Sequence, residues 1–150
     1  MLIVGILAAV ASPRFAEALN YYRVEAAAAC IAADLNYVRR YAVNTSAKRA
    51  ITFTVDKKSS HAYKTSGATG VPDPNHPANN LIVHFKQKMP GVDLVSATFD
   101  GTNEITFNQY GLPLAGDPLS SLTSGTIVIS HGTSQRTIDI DPATGKATVQ

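Results

Sequence analysis

The chain has 150 residues, a formal net charge of +2, 16% charged residues and one cysteine. This length suits a single domain with a modest hydrophobic core. One cysteine excludes both an internal disulfide and a cysteine-rich zinc site, and so small a net charge does not by itself indicate a nucleic-acid partner. The mean hydropathy of 0.00 averages an apolar beginning and a more polar remainder.

The beginning of the chain is a run of ten residues without a polar side chain, made up of Leu2, Ile3, Val4, Gly5, Ile6, Leu7, Ala8, Ala9, Val10 and Ala11. A helix that spans a membrane needs about 20 apolar residues. A signal peptide would begin with basic residues, and the first three residues include none. The run is too short to span a bilayer and too apolar to lie in water, so we expect it to be the second half of a longer apolar helix.

A single helix is predicted from Leu2 to about Ser46, with a kink at Pro13. No glycine or proline interrupts residues 17–46, and at about 100° per residue the apolar side chains of the second half share one face. Its length is on the order of 65 Å, which exceeds what a domain of this size can bury. Residues 2–23 are therefore predicted to protrude as an apolar half. Residues 24–46 are predicted to pack on the rest of the protein through Val24, Ile31, Leu35, Val38 and Ala42.

The remaining residues, 47–150, show the alternation of a half-buried sheet. Strands are predicted at residues 51–55, 81–85, 92–99, 104–108, 126–130, 136–140 and 147–149, and surface loops at 66–80 and 111–124. No linker or repeat divides the chain. The predicted fold class is α+β, with a long kinked N-terminal α-helix packed against an antiparallel β-sheet head in one domain of residues 1–150.

A family resemblance starts in the apolar helix. The stretch from Gly5 to Phe15 is similar to the end of the N-terminal helix of type IV pilins and type II secretion pseudopilins. Residues 33–39, the strand at Ile51 and the closing pattern around residues 105–111, 126–129 and 136–145 resemble the minor pseudopilin H and FimT-like group. The resemblance covers essentially the whole chain and implies the pilin fold.

Two departures from the family pattern bear on the subgroup. The family's helix begins with a basic leader, a cleavage site and a glutamate, none of which precedes Leu2, so the resemblance implies that about two turns of the mature helix are missing. Major pilins of the family often close a C-terminal loop with a disulfide, which Cys30 alone does not form. The resemblance therefore favours a minor pseudopilin or minor pilin over a filament-forming major pilin, which stays an alternative.

The resemblance implies a structural role without a cofactor or catalysis. The helix would lie in the bacterial inner membrane before assembly and then pack against other pilin or pseudopilin subunits in a periplasmic or extracellular filament. Small residues allow helices to approach closely. The expected packing residues are residues 2–11 of the apolar run together with Pro13 and Phe15.

Other chemistry has little support in the sequence. The four histidines, His61, His76, His84 and His131, have no two at metal-ligand spacing, and we interpret His84 as a sheet residue facing solvent. The carboxylates of Asp139 and Asp141 alternate as in a calcium loop, but the closing acidic residue is missing. A strand that runs into a hairpin turn explains them better, although some pseudopilins bind calcium near this end.

Four basic residues, Arg39, Arg40, Lys48 and Arg49, lie near the end of the predicted helix, where cations interact favourably with the helix dipole. They are also the candidates for an anion or DNA contact, because FimT-like minor pilins include DNA-uptake subunits. In those proteins the basic residues belong to the C-terminal tail, whereas residues 146–150 contain one lysine. We therefore expect other subunits, and not DNA, as the partners, with a DNA-binding uptake pilin as the alternative.

Overall fold

The computed structural model describes residues 2–55, 62–65, 69–116 and 120–150, with the side chains of the N-terminal helix described from Glu17 onward. The four described ranges contain one long helix, one short helix and ten strands. The strands form two antiparallel sheets, and the long helix packs against both. The predicted α+β class, with an N-terminal helix on an antiparallel head, is confirmed.

The long helix, α1 (Leu2–Asn44), spans 43 residues and runs without a break through Pro13. It ends two residues before the predicted boundary, in a Schellman motif: the amide of Ala47 donates to the carbonyl of Ala42, and the amide of Ser46 donates to that of Val43. Ser46 adopts a positive φ of 49°, which the motif requires. This turn reverses the chain into the first strand.

The remaining elements follow in chain order. They are β1 (Arg49–Phe53), β2 (Tyr63–Lys64), β3 (Ile82–Val83), α2 (Phe85–Lys88), β4 (Asp93–Phe99), β5 (Glu104–Phe107), β6 (Pro113–Ala115), β7 (Ser120–Ser121), β8 (Gly125–His131), β9 (Ser134–Ile140) and β10 (Ala147–Val149). One sheet has the order β3-β2-β1-β5-β6-β7, and the other has the order β10-β9-β8-β4.

Three predictions about the head were wrong. The predicted strand at 81–85 is a strand only at Ile82–Val83, because Phe85 starts α2. His84 is the N-cap residue of α2 and is half-buried, so it is not a solvent-facing sheet residue. The predicted loop at 111–124 contains β6, which pairs with β5, and β7, which pairs with β6. The predicted loop at 66–80 falls partly outside the described residues, since residues 66–68 are not among them.

The core lies between α1 and the two sheets. Phe53 of β1 packs against Tyr63 of β2 and Phe99 of β4, with ring centroids 5.3 and 5.5 Å apart. Phe99 belongs to the four-stranded sheet, so these rings join the two sheets behind the helix. The residues of α1 that complete this core fix the position of the helix on the head.

Candidate assembly surfaces

The head-facing stripe of α1 begins at Val24. Val24, Ile31, Leu35, Val38 and Ala42, the residues expected to pack on the sheet, are each 1% exposed or less. The small residues Ala27, Ala28 and Ala32 complete the stripe and allow the helix to lie close to the strands. Burial of one large aliphatic side chain contributes about 1.5–3 kcal/mol. The stripe is therefore the main attachment of the helix to the head.

Of the described helix side chains that precede this stripe, residues 17–23, all but the half-buried Asn20 are exposed. Leu19 is 42% exposed, Tyr21 46% and Tyr22 68%, and Glu17 and Arg23 are also exposed. The expected packing residues, 2–11 with Pro13 and Phe15, belong to the helix, but their side chains lie outside the described part. Large apolar side chains thus reach solvent just where the helix leaves the head.

An ion pair ties this part of the helix to the β8–β9 hairpin. Arg136 Nε lies 2.6 Å from Glu25 Oε2, and the Arg136 guanidinium stacks 4.4 Å from the centroid of the Tyr21 ring. The hydrogen bond to Glu25 raises the pKa of Arg136, which stays a cation at every relevant pH. Nothing local in the sequence signals this pair, because its two residues are 111 positions apart. It was not predicted.

The tip of the same hairpin makes a second contact with the helix. Arg23 Nη1 lies 3.5 Å from His131 Nε2, and His131 Nδ1 contacts the carbonyl oxygen of Gly91. The hairpin therefore holds the helix on both sides of Val24. These contacts set the direction in which the helix leaves the head.

A polar cluster that was not predicted links α1 to β2 and α2. The Tyr63 hydroxyl donates to Asp34 Oδ2 at 2.7 Å, and Lys88 Nζ lies 3.5 Å from the same oxygen. Burial, together with the Asp34 carboxylate, raises the pKa of Tyr63 well above its ordinary value. For Lys88, burial lowers the pKa, but attraction to Asp34 and Cys30 outweighs it, so the pKa is raised. The one sign of this cluster in the sequence is Asp34, an acidic residue next to the buried stripe of α1.

The four basic candidates for an anion contact do not form one free patch. Arg39 Nε donates to the carbonyl of Gly111 at 3.2 Å, and Arg40 Nε donates to that of Asn36 at 3.3 Å. Arg49 donates to Gly70 O at 2.9 Å and lies 5.1 Å from the centroid of the Tyr41 ring. Lys48 is exposed. Arg39 and Arg49 therefore link the helix end to the head, whereas Arg40 bonds within α1.

Asp141 is hydrogen-bonded within the turn that follows β9. Asp141 Oδ1 accepts the amide of Ala143 at 2.9 Å, and Oδ2 accepts the Thr144 hydroxyl at 2.6 Å. The Thr144 hydrogen bond and then the Ala143 amide lower the pKa of Asp141. Within the described ranges, no group of three or more His, Cys, Asp or Glu side chains is arranged to hold a metal ion.

Comparison with solved structures supports the fold. The chain is similar to the type IV minor pilin FimU of Pseudomonas aeruginosa in one crystal form, with a TM-score of 0.55, 20% identity, and 85% of this chain and 87% of that chain covered. In a second crystal form the TM-score is 0.52 and the identity 18%, with 84% of this chain and 91% of that chain covered. A search of curated proteins found no match.

At 18–20% identity, these likenesses show the fold that the chain shares with the minor pilin. Residues 27–144 match the family model for the type II transport protein GspH. The chain belongs to the GspH family, and the suspected relationship to minor pseudopilins is thereby confirmed. No helix in the part of the chain that the structure describes is long and apolar enough to cross a membrane.

Proposed function

We propose that the chain is a minor pseudopilin or minor pilin that is built into a type II secretion or type IV pilus filament through its N-terminal helix. The observation that carries this proposal is the division of α1, whose buried stripe begins at Val24 while the preceding described residues include three exposed large apolar side chains. Such side chains are usually covered in an assembly. The subunit works by assembly, without turnover of a substrate.

The apolar run of residues 2–11 supports the proposed route of assembly. Its side chains are apolar on every side of the helix, so that it is suited to a membrane or to the interior of a helix bundle. Gly5, Ala8 and Ala9 permit close approach of neighbouring helices. The inner membrane holds this segment before assembly, and other subunits of the cell-envelope filament cover it afterwards.

The proposal is tested with Ile6→Lys in the full chain, produced together with the other subunits of its filament. A lysine in an apolar helix interface costs about 2.5–3.5 kcal/mol, so we expect a roughly 100-fold loss of incorporation into sedimenting filaments. Thr148→Lys adds the same charge to an exposed head position and should leave incorporation unchanged. Equal incorporation of Ile6→Lys and the unchanged chain would refute the proposal.

A second experiment, in the source bacterium, distinguishes a type II secretion system from a type IV pilus. Loss of the gene should reduce release of type II secretion substrates if the subunit belongs to that system, and pilus-dependent motility if it belongs to a pilus. Reintroducing the unchanged chain should restore the affected activity, whereas Ile6→Lys should not. If neither activity changes on loss of the gene, the proposed role is wrong.

A further inference from the structure

A groove separates α1 from the segment that joins α2 to β4. Its volume is about 300 Å³, at the lower end of the range for ligand pockets, about 300–1,000 Å³. Most of its wall is apolar, and three of the lining residues, Ala27, Met89 and Val92, are only 2%, 8% and 5% exposed. Water makes few hydrogen bonds with such a wall, so the groove favours a ligand with an apolar part.

Two cations, Arg23 and Lys88, line the same groove, and its described lining contains no acidic residue. Arg23 is exposed. The Lys88 side chain is 44% exposed and lies 3.5 Å from Asp34 Oδ2, outside the lining. Both cations are therefore accessible to a ligand. An apolar wall with two cations and no acid fits an anionic amphiphile, in which a charged headgroup adjoins a hydrocarbon chain.

The ring of His131 links the two walls of the groove. Its Nε2 lies 3.5 Å from Arg23 Nη1 on the helix wall, and its Nδ1 contacts the Gly91 carbonyl in the opposite wall. This contact involves one of the five N–H donors of the guanidinium, whose planar shape suits two parallel hydrogen bonds to a phosphate. Because the walls are already joined, a ligand gains affinity from the small cost of ordering the site.

The position of the groove indicates where such a ligand comes from. The groove lies beside the point where the helix leaves the head, and the preceding Leu19, Tyr21 and Tyr22 are 42%, 46% and 68% exposed. Tyrosine is enriched at the level of the lipid headgroups of a membrane. With these side chains at the membrane surface, Arg23 and the groove face the headgroups.

We propose that the groove of the membrane-held subunit binds an anionic phospholipid, with the phosphate bound by Arg23 and Lys88 and the upper part of one acyl chain against Ala27 and Met89. The inference rests on the proposed function, because that function places the subunit in the inner membrane before assembly. It adds a lipid site on the head itself, apart from the apolar run that enters the bilayer. A lipid is favoured over a protein carboxylate because the apolar wall also accepts a hydrocarbon chain.

The test uses Cys30, the single cysteine of the chain, which lines the groove. The full chain is placed in nanodiscs of phosphatidylcholine alone or of an equimolar mixture with phosphatidylglycerol, and the rate of Cys30 alkylation by N-ethylmaleimide is measured. A bound headgroup covers the thiol, so alkylation should be roughly fivefold slower in the mixture.

The control is Thr133→Cys combined with Cys30→Ala. Thr133 is exposed at the tip of the hairpin, two residues from His131 and outside the groove. The new thiol meets the same negative membrane surface as Cys30 but no bound headgroup. Its alkylation rates in the two nanodiscs should agree within about twofold.

Charge removal tests which groups hold the lipid. Arg23→Gln and Lys88→Gln, each measured in both nanodiscs, should reduce the protection of Cys30 to about twofold or less. Arg40→Gln removes a cation near the other end of α1 and should leave the protection at about fivefold. Thermal unfolding shows whether Lys88→Gln, which also loses the ion pair with Asp34, keeps the head folded. Arg23→Gln provides the same readout without that loss.

The proposed site is wrong if Cys30 reacts equally fast in both nanodiscs, or if the Thr133→Cys thiol slows as much as Cys30. It is also wrong if the protection survives in both Arg23→Gln and Lys88→Gln. Glycerol phosphate added to phosphatidylcholine nanodiscs should not protect Cys30, since equal protection would mean that the ligand is a soluble phosphate. Protection that needs the other filament subunits would assign the groove to a protein carboxylate instead.

Failure of this site is distinguishable from failure of the proposed function, because the nanodiscs contain no other subunit. If Ile6→Lys prevents incorporation into filaments but phosphatidylglycerol does not protect Cys30, the lipid site is wrong and the filament role stands. If Cys30 is protected but the unchanged chain does not enter filaments, the filament role is wrong and the lipid site stands.

Discussion

At the scale of single residues, two glycines that the sequence marks in its closing pattern meet in the structure. Gly111 and Gly145 have φ values of 79° and 69°. A Cβ on Gly145 would lie 2.5 Å from the carbonyl oxygen of Gly111, and that oxygen accepts the hydrogen bond of Arg39. The backbone of the turn after β9 thus approaches the β5–β6 turn too closely for a side chain at Gly145, and Gly111 lies beside Arg39 and Val43 near the end of α1.

This close approach predicts a large cost for Gly145→Ala. We expect a loss of about 2–4 kcal/mol in the free energy of unfolding, from the left-handed backbone and from displacement of the Gly111 carbonyl. Gly101→Ala is the matched control, since Gly101 has a φ of 88° but no neighbouring atom within 4 Å of the position that a Cβ would take. It should cost about 1 kcal/mol. Urea unfolding of both variants measures the difference, and equal losses would show that steric contact contributes nothing.

At the scale of elements, strand and helix predictions were most accurate where the local pattern and the tertiary contacts agree. The last strand, Ala147–Val149, lies as predicted, and the long helix ends within two residues of its predicted end. Leu81, Val83 and Phe85 alternate in burial as a strand would, yet Phe85 turns into α2. The alternation predicted their burial correctly, but it did not distinguish a strand from a strand followed by a helical turn.

The strands missed in the sequence, β2, β6 and β7, are short and depend on distant partners. β6 contains Pro113 and β7 is two serines, so neither has the composition of a strand. They form because β5 offers an edge for β6, and β6 then offers one for β7. The same limit applies to the side-chain contacts. The Glu25–Arg136 and Asp34–Lys88 pairs join distant parts of the chain, and a single sequence does not show which residues will pair.

The link between α1 and β2 predicts a pH-dependent stability. The pKa of Tyr63 is raised in the folded state, so its protonated form contributes stability fully below the unfolded pKa of about 10, and this contribution is lost as the pH rises through the folded pKa. Tyr63→Phe should cost about 1.5–3 kcal/mol at neutral pH, because Asp34 loses a hydrogen bond. Above about pH 10 the difference between the two proteins should shrink.

Unfolding midpoints in urea, measured at neutral pH and above about pH 10, test this link. Tyr110→Phe is the control, since Tyr110 is 73% exposed and lies in the β5–β6 turn. It should leave the free energy of unfolding nearly unchanged at neutral pH. A difference between Tyr63→Phe and the unchanged protein that stays constant with pH would mean that ionisation of Tyr63 is not coupled to unfolding.

At the scale of the whole molecule, the described side chains of α1 differ along the helix in how far the head covers them. Its stripe from Val24 to Ala42 is covered by the head, whereas the exposed Leu19, Tyr21 and Tyr22 lie outside that stripe. From its apolar start and the length of the helix, the sequence predicts that residues 2–23 protrude, and this stays a prediction because the side chains before Glu17 lie outside the described part. The sequence did not predict that the β8–β9 hairpin contacts α1 near Val24 through Arg136, or that a groove lies beside this part of the helix.

This division predicts that the head does not need the apolar segment in order to fold. A chain that begins at Glu17 keeps the whole stripe from Val24 and the Glu25–Arg136 pair. We expect its free energy of unfolding to match that of the full chain within about 0.5 kcal/mol, while sedimentation with filaments is lost. A chain that begins at Ala28 also loses Val24, Ala27 and the ion pair, and should be less stable by about 2 kcal/mol or more. Denaturant unfolding of the three chains measures both differences. If the chain from Glu17 is as unstable as the chain from Ala28, the apolar segment supports the head directly, and the helix does not divide at Val24 into an assembly half and a packing half.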